Sequence, residues 1–267
     1  MIRDITIGQY YQTESPIHGL DPRVKLMGTL VFIISLFAGK SIWAYLFITV
    51  FLLAIIKISK VPLKFIVKGL KAILIIIIIS AAFNLFLTDG EVVVQFWKLT
   101  ITKEGIYQAV FMVVRLIYLI MGSSIMTLTT TPNHLTDGLE KSMGFLKKIK
   151  VPVHEISMMM SIALRFIPIL IDETDKIMKA QMARGADFEH GNILKRAKAM
   201  IPILVPLFVS AFRRANELAM AMEARCYHGS QGRTKMKPLT YCKKDYLGYL
   251  ILAVYLASVI AINVVLG

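Results

Sequence analysis

From Ala72 to Leu87 the chain carries no charged side chain, and its Ile75 to Ile79 segment has no polar side-chain atom to place. A helix of that composition must lie in a protein core or in a bilayer. Similar runs extend from Asp21-Pro22 to Ala38, Ile42 to Ile56, Ile106 to Leu128 and Tyr246 to Leu266. They use up much of a 267-residue chain that is 56% hydrophobic with a mean hydropathy of +0.65, and several can cross an apolar layer of roughly 30 Å. The fold class predicted is an all-α integral membrane protein with about five transmembrane helices and a cytoplasmic helical insert. Asp21 offers the first span a cap, and Pro22 is tolerated at its first position.

The net charge of +14 has two readings, nucleic acid or membrane orientation, and the placement of the charges decides between them. Lys57, Lys60, Lys64, Lys68 and Lys71 cluster in one connection, and residues 131–245 hold 19 Lys and Arg against 11 Asp and Glu. The connection from Thr88 to Gly105 has only Lys98 and Lys103, opposed by Asp89, Glu91 and Glu104. Basic connections remain inside. The N-terminus is therefore expected in the cytoplasm and the C-terminus outside, with Lys40 at the outer surface and no nucleic-acid partner. The start of the chain lacks a basic segment followed by an apolar core, so no cleaved signal peptide is expected. Cys226 and Cys242 fall on the reducing side, and no disulfide is expected.

Three regions follow: 1–130 with the N-terminal segment and the first four spans, 131–245 as the cytoplasmic insert, and 246–267 as the last span. Within the insert, a short helix is expected between Asn133 and Lys148. Ile156, Met160, Ala163, Ile167, Leu170 and Ile177 then recur at helical spacing up to Gly185, and a second stripe from Ala197 through Leu204, Leu207, Ala211 and Leu218 ends near Arg225. Pro202 and Pro206 are expected to kink or break the second helix. The uncharged run 201–212 is short for a crossing.

Both helices end alike, in Ala183-Arg184-Gly185 and Ala224-Arg225-Cys226. One such arginine reads as a cation complementing a helix dipole before a glycine stop. Two, each after alanine, point outward to a carboxylate-lined partner surface, because a guanidinium carries five donors and a fixed charge. Ten of fifteen Met lie between Met143 and Met236. Among them Met158, Met159 and Met160 suit either core filling or an adaptable contact surface. Arg115 falls near the middle of the fourth span, where an ionised group needs a partner. No phosphate-binding glycine loop, zinc-binding histidine pair or nucleophile elbow is present, and the five histidines lack ligand spacing. No catalytic residue, metal site or cofactor is expected in this chain.

Taken together, Ser15-Pro16-Ile17-His18-Gly19-Leu20-Asp21-Pro22-Arg23-Val24-Lys25, the Ala183-Arg184-Gly185 tip and Met222-Glu223-Ala224-Arg225-Cys226 resemble the transmembrane T component of energy-coupling factor ABC transporters. The resemblance covers nearly the whole chain. It implies that 131–245 is a coupling domain and that its two long helices are coupling helices whose tips, Arg184 and Arg225, dock on two ATP-binding subunits. ATP and Mg would be bound by those partners, and a separate membrane-embedded S component would capture a vitamin or other micronutrient. Cys226 departs from the family's glycine, which leaves the backbone turn at the second tip open. The permease of an ordinary ABC importer and a self-sufficient secondary carrier remain as alternatives; the paired arginines argue against the first, and the lack of repeated spans with a polar midplane site against the second.

Overall fold

The computed structural model describes residues 10–39, 41–96, 99–186, 188, 192–229, 236 and 238–266; Lys40 lies outside them. Among the described residues eight α-helices dominate: α1 (Pro22–Ala38), α2 (Ile42–Ser59), α3 (Leu63–Leu87), α4 (Lys103–Thr129), α5 (Pro132–Ser142), α6 (Val153–Ala183), α7 (Ile193–Ala224) and α8 (Lys243–Leu266). A 3-10 helix (Met143–Ile149) separates α5 from α6. Two strands, β1 (Val92–Phe96) and β2 (Leu99–Thr102), pair antiparallel between α3 and α4. Charge counting had treated that connection as a plain loop. Its Val92-Val93-Val94 run is β-branched, and such residues favour a pleated strand over a turn.

The chain divides into two compact units, Gly8–Leu139 with Leu239–Gly267, and Met1–Ile7 with Glu140–Pro238. In the first, Tyr45, Ile48, Leu52 and Ile56 form one buried face of α2 at three- and four-residue spacing. Phe32 and Leu36 from α1, Val61 and Ile66 around the start of α3, Ile125 and Leu128 from α4, and Tyr255 and Val259 from α8 complete the core. Helices α1 and α4 approach closely at Gly122, where an added Cβ would lie 2.5 Å from the Phe32 ring. The buried hydroxyls pair with each other, Ser35 Oγ lying 2.6 Å from Tyr255 Oη. The outward faces remain apolar, as at Leu30, Ile34, Leu46 and Leu53, which suits lipid contact.

Helices α2, α4, α6 and α8 are each long and apolar enough to cross a membrane, and the bent α3 makes a fifth. The number agrees with the sequence reading, but one member differs. Helix α1 has 17 residues, the lower limit for a crossing, whereas α6, expected inside the insert, qualifies on its own. The periodic stripe concealed this: between Glu155 and Asp172 only Arg165 is charged, so the first half of α6 is apolar nearly all round. The third span also starts earlier than Ala72. Leu63–Lys71 is helical too, and bends by 62° against Ile73–Leu87.

In the second unit, α7 runs unbroken through Pro202 and Pro206. A proline at 206 has no N–H for the carbonyl four residues earlier, which is that of Pro202. The Gln181 side chain of α6 donates to that carbonyl at 3.3 Å. The orphaned acceptor is thus satisfied from a neighbouring helix.

Candidate functional site

Helix α6 ends with Arg184 as its cap residue, followed by Gly185 at φ +88°. The Gly185 amide donates to the Met182 carbonyl at 2.9 Å and the Ala186 amide to the Gln181 carbonyl at 3.0 Å. This is the Schellman closure of a helix C-terminus. At the end of α7 the same pair of bonds recurs: Cys226 donates to Glu223 at 2.9 Å and Tyr227 to Met222 at 3.1 Å, with Arg225 as cap residue. Cys226 occupies the left-handed position at φ +55°. The turn left open by the missing glycine is therefore kept, at a backbone cost of about 1–2 kcal/mol for a residue with a Cβ.

Ala183, Arg184, Gly185, Ala224, Arg225 and Cys226 are all exposed. Among the described residues neither guanidinium makes an ion pair. The two helices are joined by a partly buried ion pair, Arg214 Nη2 to Glu173 Oε2 at 2.8 Å. Arg184 follows Glu173 by 11 positions, and Arg225 follows Arg214 by 11. Each tip thus extends roughly 16 Å of helix beyond the shared ion pair. The structure does not cluster the two arginines into one site. They stand on different helices, each eleven positions beyond the shared ion pair.

The apolar stripes lie differently from the sequence expectation. Among the described residues of α7 only Ile203 is buried; Leu207, Ala211 and Leu218 are half-buried, while Met200, Leu204, Phe208 and Phe212 are exposed. On α6, Met158 is half-buried, and Met159 and Met160 are 57% and 41% exposed. Both helices thus keep an apolar face that the chain itself does not cover. At the start of α6, Glu140 receives the Ser157 hydroxyl at 2.9 Å and lies 2.9 Å from His154 Nδ1. The His154-Glu155 helix start is thereby anchored to the end of α5.

Sequence reasoning missed a polar knot at the head of α1. Asp21 caps the helix by accepting from the Arg23 amide, and both its oxygens take the Arg23 guanidinium, at 3.0 and 2.8 Å. The same guanidinium lies 3.7 Å from the Tyr241 ring centroid. Asp245 of α8, 3% exposed, accepts the Asp21 amide at 2.8 Å and the Cys242 amide at 2.7 Å. Lys25 donates to the His18 and Thr129 carbonyls. Burial raises the Asp21 carboxyl, but the Arg23 bonds outweigh it and hold its pKa below the ordinary value. Burial lowers the His18 pKa, with the nearby Lys25 charge adding to the effect; its ring lies between Ser15 Oγ at 2.6 Å and the Tyr11 carbonyl at 3.0 Å. The charged residues of the N-terminal motif thus tie the ends of α1, α4 and α8 together.

Arg115 has its partner. Its Nε donates to Tyr45 Oη at 2.9 Å, and that hydroxyl donates in turn to the Leu36 carbonyl.

Comparison with known proteins identifies the family. The family model CbiQ, described as a cobalt transport protein, matches residues 13–236, a range that includes both helix tips and the N-terminal motif. The energy-coupling factor transporter transmembrane protein EcfT of Clostridium kluyveri is 56% identical over 252 residues, spanning 94% of this chain and 93% of that protein. The EcfT of Ruminiclostridium cellulolyticum is 52% identical over 265 residues, 99% of each chain, and that of Bacillus subtilis 45% identical over 246 residues, 92% of this chain and 93% of its own. Multi-pass helices, the N-terminal motif and near full-length identity lead to one conclusion: the chain belongs to the CbiQ family, as a transmembrane component of the energy-coupling factor transporter type.

Proposed function

We propose that this chain is the scaffold and coupling subunit of an energy-coupling factor importer, docking two ATP-binding subunits through Arg184 and Arg225. The observation that supports this reading is the pair of identically closed, exposed helix tips at equal spacing from a shared ion pair. Two alike plugs call for two alike sockets. A carboxylate-lined groove on each ATPase would take the guanidinium as a forked, charge-assisted contact.

ATP and Mg would be bound by those partners, whose closing and opening would move the tips. The two helices would carry that motion to the uncovered apolar faces around Met158, Met159 and Met160, where a membrane-embedded S component would rest. Cargo release would follow from reorientation of that subunit toward the cytoplasm; in this reading α1 crosses and α6, though long and apolar enough, does not, which leaves the N-terminus and the tips on that side. The cargo class that fits is a vitamin or other micronutrient; the description attached to the matching family favours cobalt as a second reading, and uptake assays with each cargo separate them.

The docking test is co-purification. Arg184→Glu with Arg225→Glu is expected to release both ATPases while the chain still inserts, and Arg184→Lys with Arg225→Lys to weaken docking less. Undiminished recovery of the ATPases with the double Glu variant would reject the assignment.

A further inference from the structure

The chain has no acidic residue from Pro22 to Thr88, yet this interval holds the lysine cluster. Lys57 lies in the last turn of α2, and Lys60 caps that helix in the left-handed conformation at φ 55°. Lys64 and Lys71 stand on one face of the Leu63–Lys71 segment, seven positions apart. All four are exposed, and among the described residues none makes an ion pair. On the opposite side of the same segment Ile66 is wholly buried in the core.

Beside the lysines, Leu63, Phe65 and Val67 are also exposed, at 54%, 45% and 50%. A surface facing water has no use for those apolar groups, and a surface facing lipid tails does not tolerate the ammonium groups. The boundary between the two accommodates both, because lysine stems lie along apolar surface while their heads reach outward. The bend adds the geometry. At 62° to the uncharged Ile73–Leu87 segment, Leu63–Lys71 lies nearer the membrane plane than the normal when Ile73–Leu87 crosses the bilayer.

We propose that the end of α2 and the first half of α3 form a headgroup-binding shelf at the membrane surface, on which Lys57, Lys60, Lys64 and Lys71 hold anionic phospholipid. The occupant follows from charge complementarity: four unpaired cations next to exposed apolar side chains match a phosphate-bearing headgroup joined to acyl chains. Each lysine near an anionic surface contributes roughly fivefold in lipid preference. The shelf depends on the membrane assignment alone, so it stands or falls separately from ATPase docking at the helix tips.

The test uses the full-length chain in nanodiscs of equal parts phosphatidylcholine and phosphatidylglycerol, followed by native mass spectrometry of the lipids retained on extraction. The chain is expected to retain phosphatidylglycerol in excess. The variant carrying Lys57→Gln, Lys60→Gln, Lys64→Gln and Lys71→Gln is expected to lose that excess by at least about tenfold, whereas the corresponding Lys→Arg variant keeps it. A variant with Lys148→Gln, Lys176→Gln, Lys179→Gln and Lys198→Gln removes the same four charges elsewhere and is expected to behave as wild type. Equal retention of the two lipids by wild type, persistence of the excess in the Gln variant, or an equal loss in the control overturns the proposal. Displacement of phosphatidylglycerol by inorganic phosphate alone also overturns it, since the site would then bind the free anion. Should the fourfold variant fail to insert, Lys57→Gln with Lys60→Gln and Lys64→Gln with Lys71→Gln each read the same ratio.

Discussion

The two helix tips share one turn but reach it with different residues, which makes a paired experiment possible. Gly185 sits at φ +88° with no heavy atom within 4 Å of the place an added Cβ would occupy. Gly185→Ala therefore incurs no clash, only the backbone strain of a left-handed residue, about 1–2 kcal/mol. Reduced freedom of the unfolded chain offsets about 0.4–1 kcal/mol of that. A net loss of about 1 kcal/mol remains, which raises the population of the opened turn roughly fivefold. Cys226→Gly runs the other way: it removes the strain at φ +55° and is expected to stabilise its turn by a similar amount. Hydrogen exchange measured by mass spectrometry on peptides covering each tip reads both effects, because the Ala186 and Tyr227 amides close the two turns. Exchange should accelerate at Ala186 in Gly185→Ala and slow at Tyr227 in Cys226→Gly. If Cys226→Gly leaves exchange unchanged or accelerates it, the account of the shared turn is wrong.

Further outcomes follow from the same contacts. Asp245→Ala leaves the Asp21 and Cys242 amides without their acceptor, at about 1–3 kcal/mol for each donor, and should lower the melting temperature in detergent more than Asp245→Asn. The His18 pKa lies below 6.5 in the folded chain, so the unfolded state binds more protons and the His18 contribution, present above pH 6.5, is lost as pH falls through the folded value. The melting temperature should therefore drop on mild acidification, and His18→Gln should flatten that slope; Asp21 titrates below 3.8 and does not enter this window. Gln181→Leu should cost up to about 1 kcal/mol by orphaning the Pro202 carbonyl, and the cost should vanish in a Pro206→Ala background, where the new amide can take that carbonyl. A penalty that persists unchanged with Pro206→Ala would show that Gln181 acts in some other way.

Features carried by neighbouring residues were legible before any coordinates. The stop of α6 follows from Gly185 after the Arg184 cap, and the capping of α1 from Asp21-Pro22; both are local. What escaped detection depended on distance or on composition read too coarsely. Asp245 reads as an ordinary acidic helix start, yet its role is to bind an amide 224 positions away. No local pattern records such a contact. The continuity of α7 across two prolines escaped for the same reason, since the donor that makes it tolerable belongs to α6. The apolar length of α6 was in plain view, but fitting one stripe to it hid the apolar residues on its remaining faces. The lysines of α3 were read as a connection before the third span, although lysine is compatible with helix and the helix runs through them, changing direction on the way.

The equal spacing gives the Glu173–Arg214 pair a meaning that neither residue has alone. A single long helix pressed at its tip transmits force along its own axis. Helices α6 and α7 are linked at the partly buried Glu173–Arg214 pair and again at the Gln181–Pro202 bond, so a displacement at one tip is passed to the other helix. Because both tips stand 11 positions beyond the ion pair, two partners moving by the same amount load it symmetrically. Partners of unequal reach would load it off balance. The two helices differ elsewhere: Gly185 and Cys226 are unlike and the prolines fall at unlike places in α6 and α7, whereas the Ala-Arg end, the closing turn and the eleven-residue spacing are held in common. Those shared properties are what a paired docking device would have to preserve. Under the proposed docking, the tips and the links between the two helices, not the membrane spans, would set how this chain couples to its partners.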